Sequence, residues 1–189
     1  MIKNFEISRK SVHALSLITP LIYYYKPFLA LAIISAFIIL YLISEGLKLN
    51  HIKHPLTPLT GLLHRDEEKL EWAPAPLYLA LGVMMSLQFY HFKAALIAIY
   101  CVGFCDILAA IFGKMWGHTK LPFARRKTIV GTSAFFLGAL PMCFYFLPPS
   151  KAITTALLGA FLESLPFKDI DNITIPLVVG FVANQFLFA

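Results

Sequence analysis

An all-α fold, a polytopic integral membrane helical bundle of about seven transmembrane helices, is predicted by three observations. The 189 residues are 59% hydrophobic and only 14% charged, with a mean hydropathy of +0.74. A soluble domain runs nearer half apolar and a quarter charged. Apolar stretches of about membrane-crossing length recur along the chain, and the basic residues between them are distributed unevenly. Cys101, Cys105 and Cys143 all lie in apolar runs and make neither a disulfide framework nor a zinc cluster. The length suits one transmembrane domain over residues 1–189.

A crossing helix needs roughly 20 apolar residues, with about 17 as a lower limit. In order, the candidates are residues 11–25, 27–44, 72–90, 94–113, 129–147, 152–166 and 173–189. The first and sixth are short, which implies tilting, burial within the bundle or a break. The second carries no charge and the fourth a single carboxylate, Asp106. Residues 1–25 have the basic start of a signal peptide. Tyr23-Tyr24-Tyr25-Lys26 offers no small-x-small cleavage site, however, so the segment is read as a retained span edged by an aromatic belt.

Alternating the connections across the membrane fixes an orientation. One side receives Lys3, Arg9, Lys10, Lys48, Lys53, Arg65, Lys69, Lys114, Lys120, Arg125, Arg126, Lys127 and Lys168. The other receives only Lys26, Lys93 and Lys151. The positive-inside bias makes the first side cytoplasmic, with the N-terminus in and the C-terminus out. All ten acids lie on that side or enter the membrane from it. The net charge of +6 is therefore a topological signal, with no nucleic acid implied as a partner. The sequon Asn172-Ile173-Thr174 falls on the cytoplasmic side and is discounted.

Ionisable groups within a span are costly and face a bundle interior or a wet cavity. His13 is 13 residues from the outer anchor Lys26, Asp106 is 13 from Lys93, and Glu163 is 12 from Lys151. At about 1.5 Å per residue all three lie roughly 18–20 Å from the outer face, a common depth near the inner surface. Three such groups on three helices predict a cytoplasm-facing pocket. The plainer alternative is a polar pair that holds helices together.

The inner connections supply a second half-site. Gly113-Lys114-Met115-Trp116-Gly117-His118-Thr119-Lys120 follows the Asp106 helix, and Arg125-Arg126-Lys127-Thr128-Ile129-Val130-Gly131 opens the next. Glycines admit an anion close to backbone amides, and a helix N-terminus favours negative charge. The cations would counter a triphosphate or a phospholipid head group. Alone, such a loop also fits contact with anionic membrane phospholipid. Asp106, with Asp171 or Glu163, would hold a magnesium ion against phosphate oxygens, since that ion takes one or two carboxylates plus phosphate. The connection Glu163–Pro176 breaks an apolar stretch with polar residues, which a membrane tolerates where backbone lines a cavity.

Taken together these segments resemble the CTP-dependent lipid kinase family, which covers dolichol kinase, phytol kinase and CTP-using diacylglycerol kinase within the wider phosphatidate cytidylyltransferase superfamily. The resemblance rests on Cys105-Asp106, Gly113 to His118, Lys127-Thr128-Ile129-Val130-Gly131-Thr132, and Glu163 with Asp171-Asn172-Ile173-Thr174-Ile175-Pro176. Arg9-Lys10-Ser11-Val12-His13 is similar to the family's opening R-K-x-x-H. His64-Arg65-Asp66-Glu67-Glu68 before the Ala75–Gly82 stretch is similar to its R-x-x-E. Val130 stands where many members carry glutamate, so that position supplies no ligand. The cytidylyltransferase H-G-G and D-R-x-D signatures are absent, which favours kinase over nucleotidyl transfer.

The resemblance implies a membrane-embedded kinase that moves the γ-phosphate of CTP to a lipid alcohol: a polyprenol, phytol or diacylglycerol. It implies Asp106, Glu163, Asp171 and His13 as catalytic, the first three also holding the metal. Lys114, Gly117, His118, Lys120, Lys127, Thr128, Gly131 and Asn172 would bind nucleotide, and Arg9, Lys10, Arg65 and Glu68 would close the pocket. A CTP:lipid-phosphate cytidylyltransferase is the alternative enzyme, and a small transporter the alternative class, because buried acids also mark ion pathways. The brevity of the chain points to a bacterial inner membrane. The sequence assigns no oligomeric state and no particular alcohol.

Overall fold

The computed structural model describes residues 4–52, 55, 61, 63–64, 68, 71–167 and 169–188, with the backbone alone at residues 4–8, 125 and 126. Helices dominate them: α1 (Asn4–Ser16), α2 (Thr19–Tyr25), α3 (Pro27–Leu49), α4 (Ala75–Phe89), α5 (Phe92–Tyr100), α6 (Asp106–Trp116), α7 (Ile129–Phe146), α8 (Pro149–Ser164) and α9 (Asp171–Phe188). Proline opens α2, α3, α4 and α8 at the first or second position, where a missing N–H costs nothing. Between α6 and α7 the strands β1 (Lys120–Leu121) and β2 (Ala124–Thr128) form an antiparallel hairpin.

Among the described residues four helices are long and apolar enough to cross a membrane: Pro27–Leu49, the continuous Phe92–Trp116, Ile129–Phe146 and Asp171–Phe188. Ala75–Phe89 is apolar but shorter. That supports an integral membrane protein. The expected first span is two helices, not one. The chain turns between Ser16 and Thr19, where the Thr19 hydroxyl bonds the Ser16 carbonyl and Pro20 cannot continue the preceding hydrogen-bond ladder. The stretch read as a loop between the fourth and fifth spans contains the hairpin.

α9 packs between α4, α5 and α8, and α7 packs against α6 and α8. Small residues bring these helices together. A Cβ at Gly82 would come within 2.6 Å of Pro176, and one at Gly180 within 2.5 Å of the Tyr90 ring. Close backbone approach of this kind is how helices associate where lipid removes the hydrophobic drive between them. Phe135, Ile97, Ile99, Val102, Ile175 and Val179 fill the space that remains. Large apolar side chains on α3, among them Phe28 and Ile43, face outward, as a lipid-facing helix requires.

One helix departs from regular geometry at the place that matters. Between α5 and α6, residues Cys101–Cys105 form a π turn, and the Asp106 N–H reaches back five residues to the Cys101 carbonyl. A π turn admits an extra residue and marks functional positions in other helices. Here it ends on the carboxylate predicted from sequence.

Candidate functional site

α1 lies against the π turn and supplies two donors. Lys10 Nζ donates to the Asp106 main-chain carbonyl at 3.2 Å and also to its carboxylate. His13 Nδ1 lies 2.9 Å from the Val102 carbonyl oxygen and 3.2 Å from Asp106 Oδ2. A carbonyl only accepts, so Nδ1 carries the proton and donates. The widened turn therefore presents two carbonyls and one carboxylate to side chains from another helix. His13 and Asp106 are both buried.

The second cluster is centred on Lys127 in β2. Its ammonium donates to Glu163 Oε1 and to Asp171 Oδ2, both at 2.9 Å. The second Glu163 oxygen accepts from the Thr132 hydroxyl at 3.0 Å, and Asp171 Oδ1 accepts the Asn172 N–H at 3.1 Å. Burial works against the Lys127 charge, but Asp171, Glu163 and Asp106 together outweigh it and raise the lysine above its ordinary value. Two acids thus hold the cation by direct contact, and Asp106 adds to its charge stabilisation through space.

The local fold explains how Lys127 gets there. The Thr128 hydroxyl accepts the Gly131 N–H and caps α7. Thr119 accepts the Ile129 N–H at 3.1 Å, closing the hairpin and drawing the end of α6 to the start of α7. Glycines make this approach possible. A Cβ at Gly117 would collide with the Gly113 carbonyl oxygen and sit 2.5 Å from the Thr128 hydroxyl; one at Gly131 would sit 2.8 Å from the Ala109 carbonyl oxygen. The nearest neighbour of these glycines is the protein itself.

The remaining predicted residues fall in three places. Lys114 in the last turn of α6, His118 on the connection that follows and Lys120 in β1 are all exposed. Asn172 is buried and its side-chain amide donates to the Ala75 carbonyl at 3.3 Å, fastening α9 to the start of α4. Arg9 donates to Asp169 Oδ1 at 2.8 Å and, with His13, Leu63 and Pro76, lines a cavity of about 10 Å³, room for one water. Arg65 and Lys168 lie outside the described residues. Glu68 is buried, and Lys48 donates to its carbonyl at 3.1 Å.

Some partners escaped sequence reasoning. Asp169, which holds Arg9, sits in the left-handed region with φ of 65°, a conformation aspartate tolerates better than most residues. Thr132, which holds Glu163, follows the expected K-T-x-x-G segment. Glu45 is fully buried at the end of α3; its Oε2 accepts from Lys48 at 2.8 Å and from the Ala73 N–H at 3.0 Å, and its Oε1 is 2.7 Å from His64 Nε2. The signal for Glu45 was available. It is an acid near the end of a helix whose other charged residue is Lys48.

Among the described residues no three His, Cys, Asp or Glu side chains form a ready metal cage. The donor set nonetheless suits magnesium, which takes one or two carboxylates and fills its other positions with phosphate and water. Two carboxylate oxygens, from Glu163 and Asp171, already converge on a single cationic atom.

Comparison with known proteins gives this geometry a chemical context. The chain is 27% identical over 147 residues to CTP-dependent diacylglycerol kinase 1 of Eremothecium gossypii, covering 64% of this chain and 46% of that protein. It is 28% identical over 162 residues to probable phytol kinase 1, chloroplastic, of Oryza sativa subsp. japonica, covering 75% and 50%. It is 30% identical over 136 residues to farnesol kinase, chloroplastic, of Arabidopsis thaliana, covering 61% and 43%. Its relatives are named lipid kinases. The chain spans about half the length of these three relatives. Diacylglycerol, phytol and farnesol are all alcohols carried on hydrocarbon chains. No protein-family model and no solved structure matches the chain.

Proposed function

We propose that this protein is a membrane-embedded kinase that transfers the γ-phosphate of CTP to a lipid alcohol at the cytoplasmic membrane face, in a single domain of about seven spans with its N-terminus inside. The observation that carries the reading is the convergence of Glu163 and Asp171 on the Lys127 ammonium, with the buried Asp106 held by Lys10 and His13, in a chain whose relatives bear kinase names.

In this reading the lipid hydroxyl oxygen attacks the γ-phosphorus, the bond to the β–γ bridging oxygen breaks, and CDP leaves. The hydroxyl proton passes to a carboxylate, Glu163 or Asp171. Phosphoryl transfer is chiefly positioning and charge stabilisation. Lys127 turns from the acids to the phosphoryl oxygens, which frees both carboxylates. Lys114, His118, Lys120 and Thr128 bind the polyphosphate, Gly117 and Gly131 let the end of α6 and the start of α7 come close enough to form its cradle, and Asn172 keeps α9 in register beside it. Arg9, Lys10, Arg65 and Glu68 close the pocket, and His13 orients Asp106. Magnesium held by Asp106, Glu163 and Asp171 supplies positive charge to the phosphate oxygens when bound.

Purified protein in detergent, given CTP labelled at either the α- or the γ-phosphate and a panel of diacylglycerol, phytol and polyprenol, tests this. A γ-label entering lipid is the expected result. An α-label entering lipid identifies a cytidylyltransferase, and no nucleotide turnover points to a transporter or structural protein.

A further inference from the structure

A groove lies between the end of α8 and the start of α9, lined by Leu162, Leu165, Phe167, Ile170, Asp171 and Thr174, with a volume of about 190 Å³. Four of the six are apolar. The groove is larger than the ~150 Å³ apolar cavity that admits benzene. Its floor is not helical: Leu165 is extended, Pro166 follows, and Asp169 is left-handed. This irregular backbone is fixed in place. Arg9 holds the Asp169 carboxylate, the Asn172 N–H bonds the Asp169 carbonyl, and the Thr174 hydroxyl bonds the Ile170 carbonyl. Backbone of this kind persists at membrane depth where it lines a cavity.

The two ends of the groove differ. Phe167 and Ile170 are 56% and 40% exposed, an apolar rim open to the surroundings. At the other end Asp171 bonds Lys127 through one oxygen, and Lys127 is shared with Glu163. A ligand matching both ends carries a hydrocarbon tail and a small polar head able to donate a hydrogen bond. An anionic head would meet the Asp171 carboxylate at close range, which costs free energy in a poorly hydrated site. A neutral alcohol meets no such repulsion.

We infer that this groove receives the hydrocarbon chain of the lipid alcohol and sets its hydroxyl beside Asp171. The head-group assignment rests on the kinase reading above; the apolar tail does not. Lipid enters sideways past Phe167 and Ile170, while nucleotide approaches from the hairpin side of Lys127.

The test is photolabelling of the wild-type protein in detergent with a long-chain alcohol carrying a diazirine midway along the chain, with adducts mapped by peptide mass spectrometry. Adducts concentrated in residues 162–174 and competed by unlabelled alcohol are expected. Labelling elsewhere, or labelling that competitor does not reduce, overturns the groove. Leu165→Trp narrows the groove without touching an acid. It should raise KM for long-chain alcohols about tenfold and leave KM for CTP unchanged. An unaltered chain-length profile in a folded variant counts against the groove. The two readings fail separately. Competed adducts in a protein that transfers no label from CTP leave the groove and remove the kinase. Transfer with adducts elsewhere does the reverse.

Discussion

Lys10 grips Asp106 twice, at its carboxylate and at its main-chain carbonyl, across 96 positions of sequence. The second bond is made where Asp106 opens α6, directly after the π turn against which α1 packs. The acid is therefore oriented through its backbone as well as its charge, and a substitution that keeps the shape should keep the fold. Asp106→Asn is expected to lower phosphoryl transfer by about 10²–10³-fold or more. Expression and thermal unfolding in detergent should stay close to wild type, since a neutral amide is no costlier to bury. Near-normal transfer by the variant removes the role assigned to Asp106.

Lys127 and Glu163 should be energetically coupled. Groups in direct contact give interaction energies of about 0.5–3 kcal/mol in double-mutant cycles. Lys127→Met and Glu163→Gln, alone and combined, followed by thermal unfolding, should yield a coupling within that range. Strict additivity means the 2.9 Å contact contributes nothing to stability.

The same lysine fixes a pH signature. Its folded value lies above the ordinary 10.5, so its stabilisation is fully present below that pH and disappears only as pH climbs through the folded value. The stability difference between wild type and Lys127→Met should be constant from about pH 6 to 9 and shrink in strong alkali. A difference that already falls between pH 6 and 8 assigns the effect to another group.

Gly117 should tolerate no side chain. Its Cβ would collide with the Gly113 carbonyl oxygen, and backbone cannot move aside as a flexible side chain can. Gly117→Ala is expected to destabilise by about 1–3 kcal/mol, comparable to overpacking elsewhere. Thr128→Val, which removes the cap of α7, should cost about 1 kcal/mol. A Gly117→Ala protein as stable as wild type would show that the α6–hairpin junction is loose.

The apolar runs made the helices legible because each crossing segment must bury or expose nearly every side chain to hydrocarbon. The hairpin was not legible. Ala124-Arg125-Arg126-Lys127-Thr128 shows no apolar alternation, and its pairing depends on contacts with α6 and α7. Asp106 and Glu163 stood out as rare charges in apolar surroundings, whereas Asp169 was hidden beside Asp171 on a polar connection. Lys10 and Lys127 were recognised as cations of the site, but their carboxylate partners are set by helix packing, which no short motif encodes. Nothing in Cys101-Val102-Gly103-Phe104-Cys105 marks a π turn, since its geometry answers to α1 across the bundle.

That wide turn absorbs a residue without disturbing what lies beyond it. An α-helix advances roughly 100° per residue, whereas a π turn spreads about the same rotation over one residue more. Deleting one residue between Cys101 and Cys105 would therefore restore ordinary winding and keep the far half of the Phe92–Trp116 rod near its present phase, whereas the same deletion elsewhere in the rod would swing it by about a quarter of a revolution. Length changes in that rod should thus be borne best within the turn, at the expense of the carbonyl geometry that holds His13.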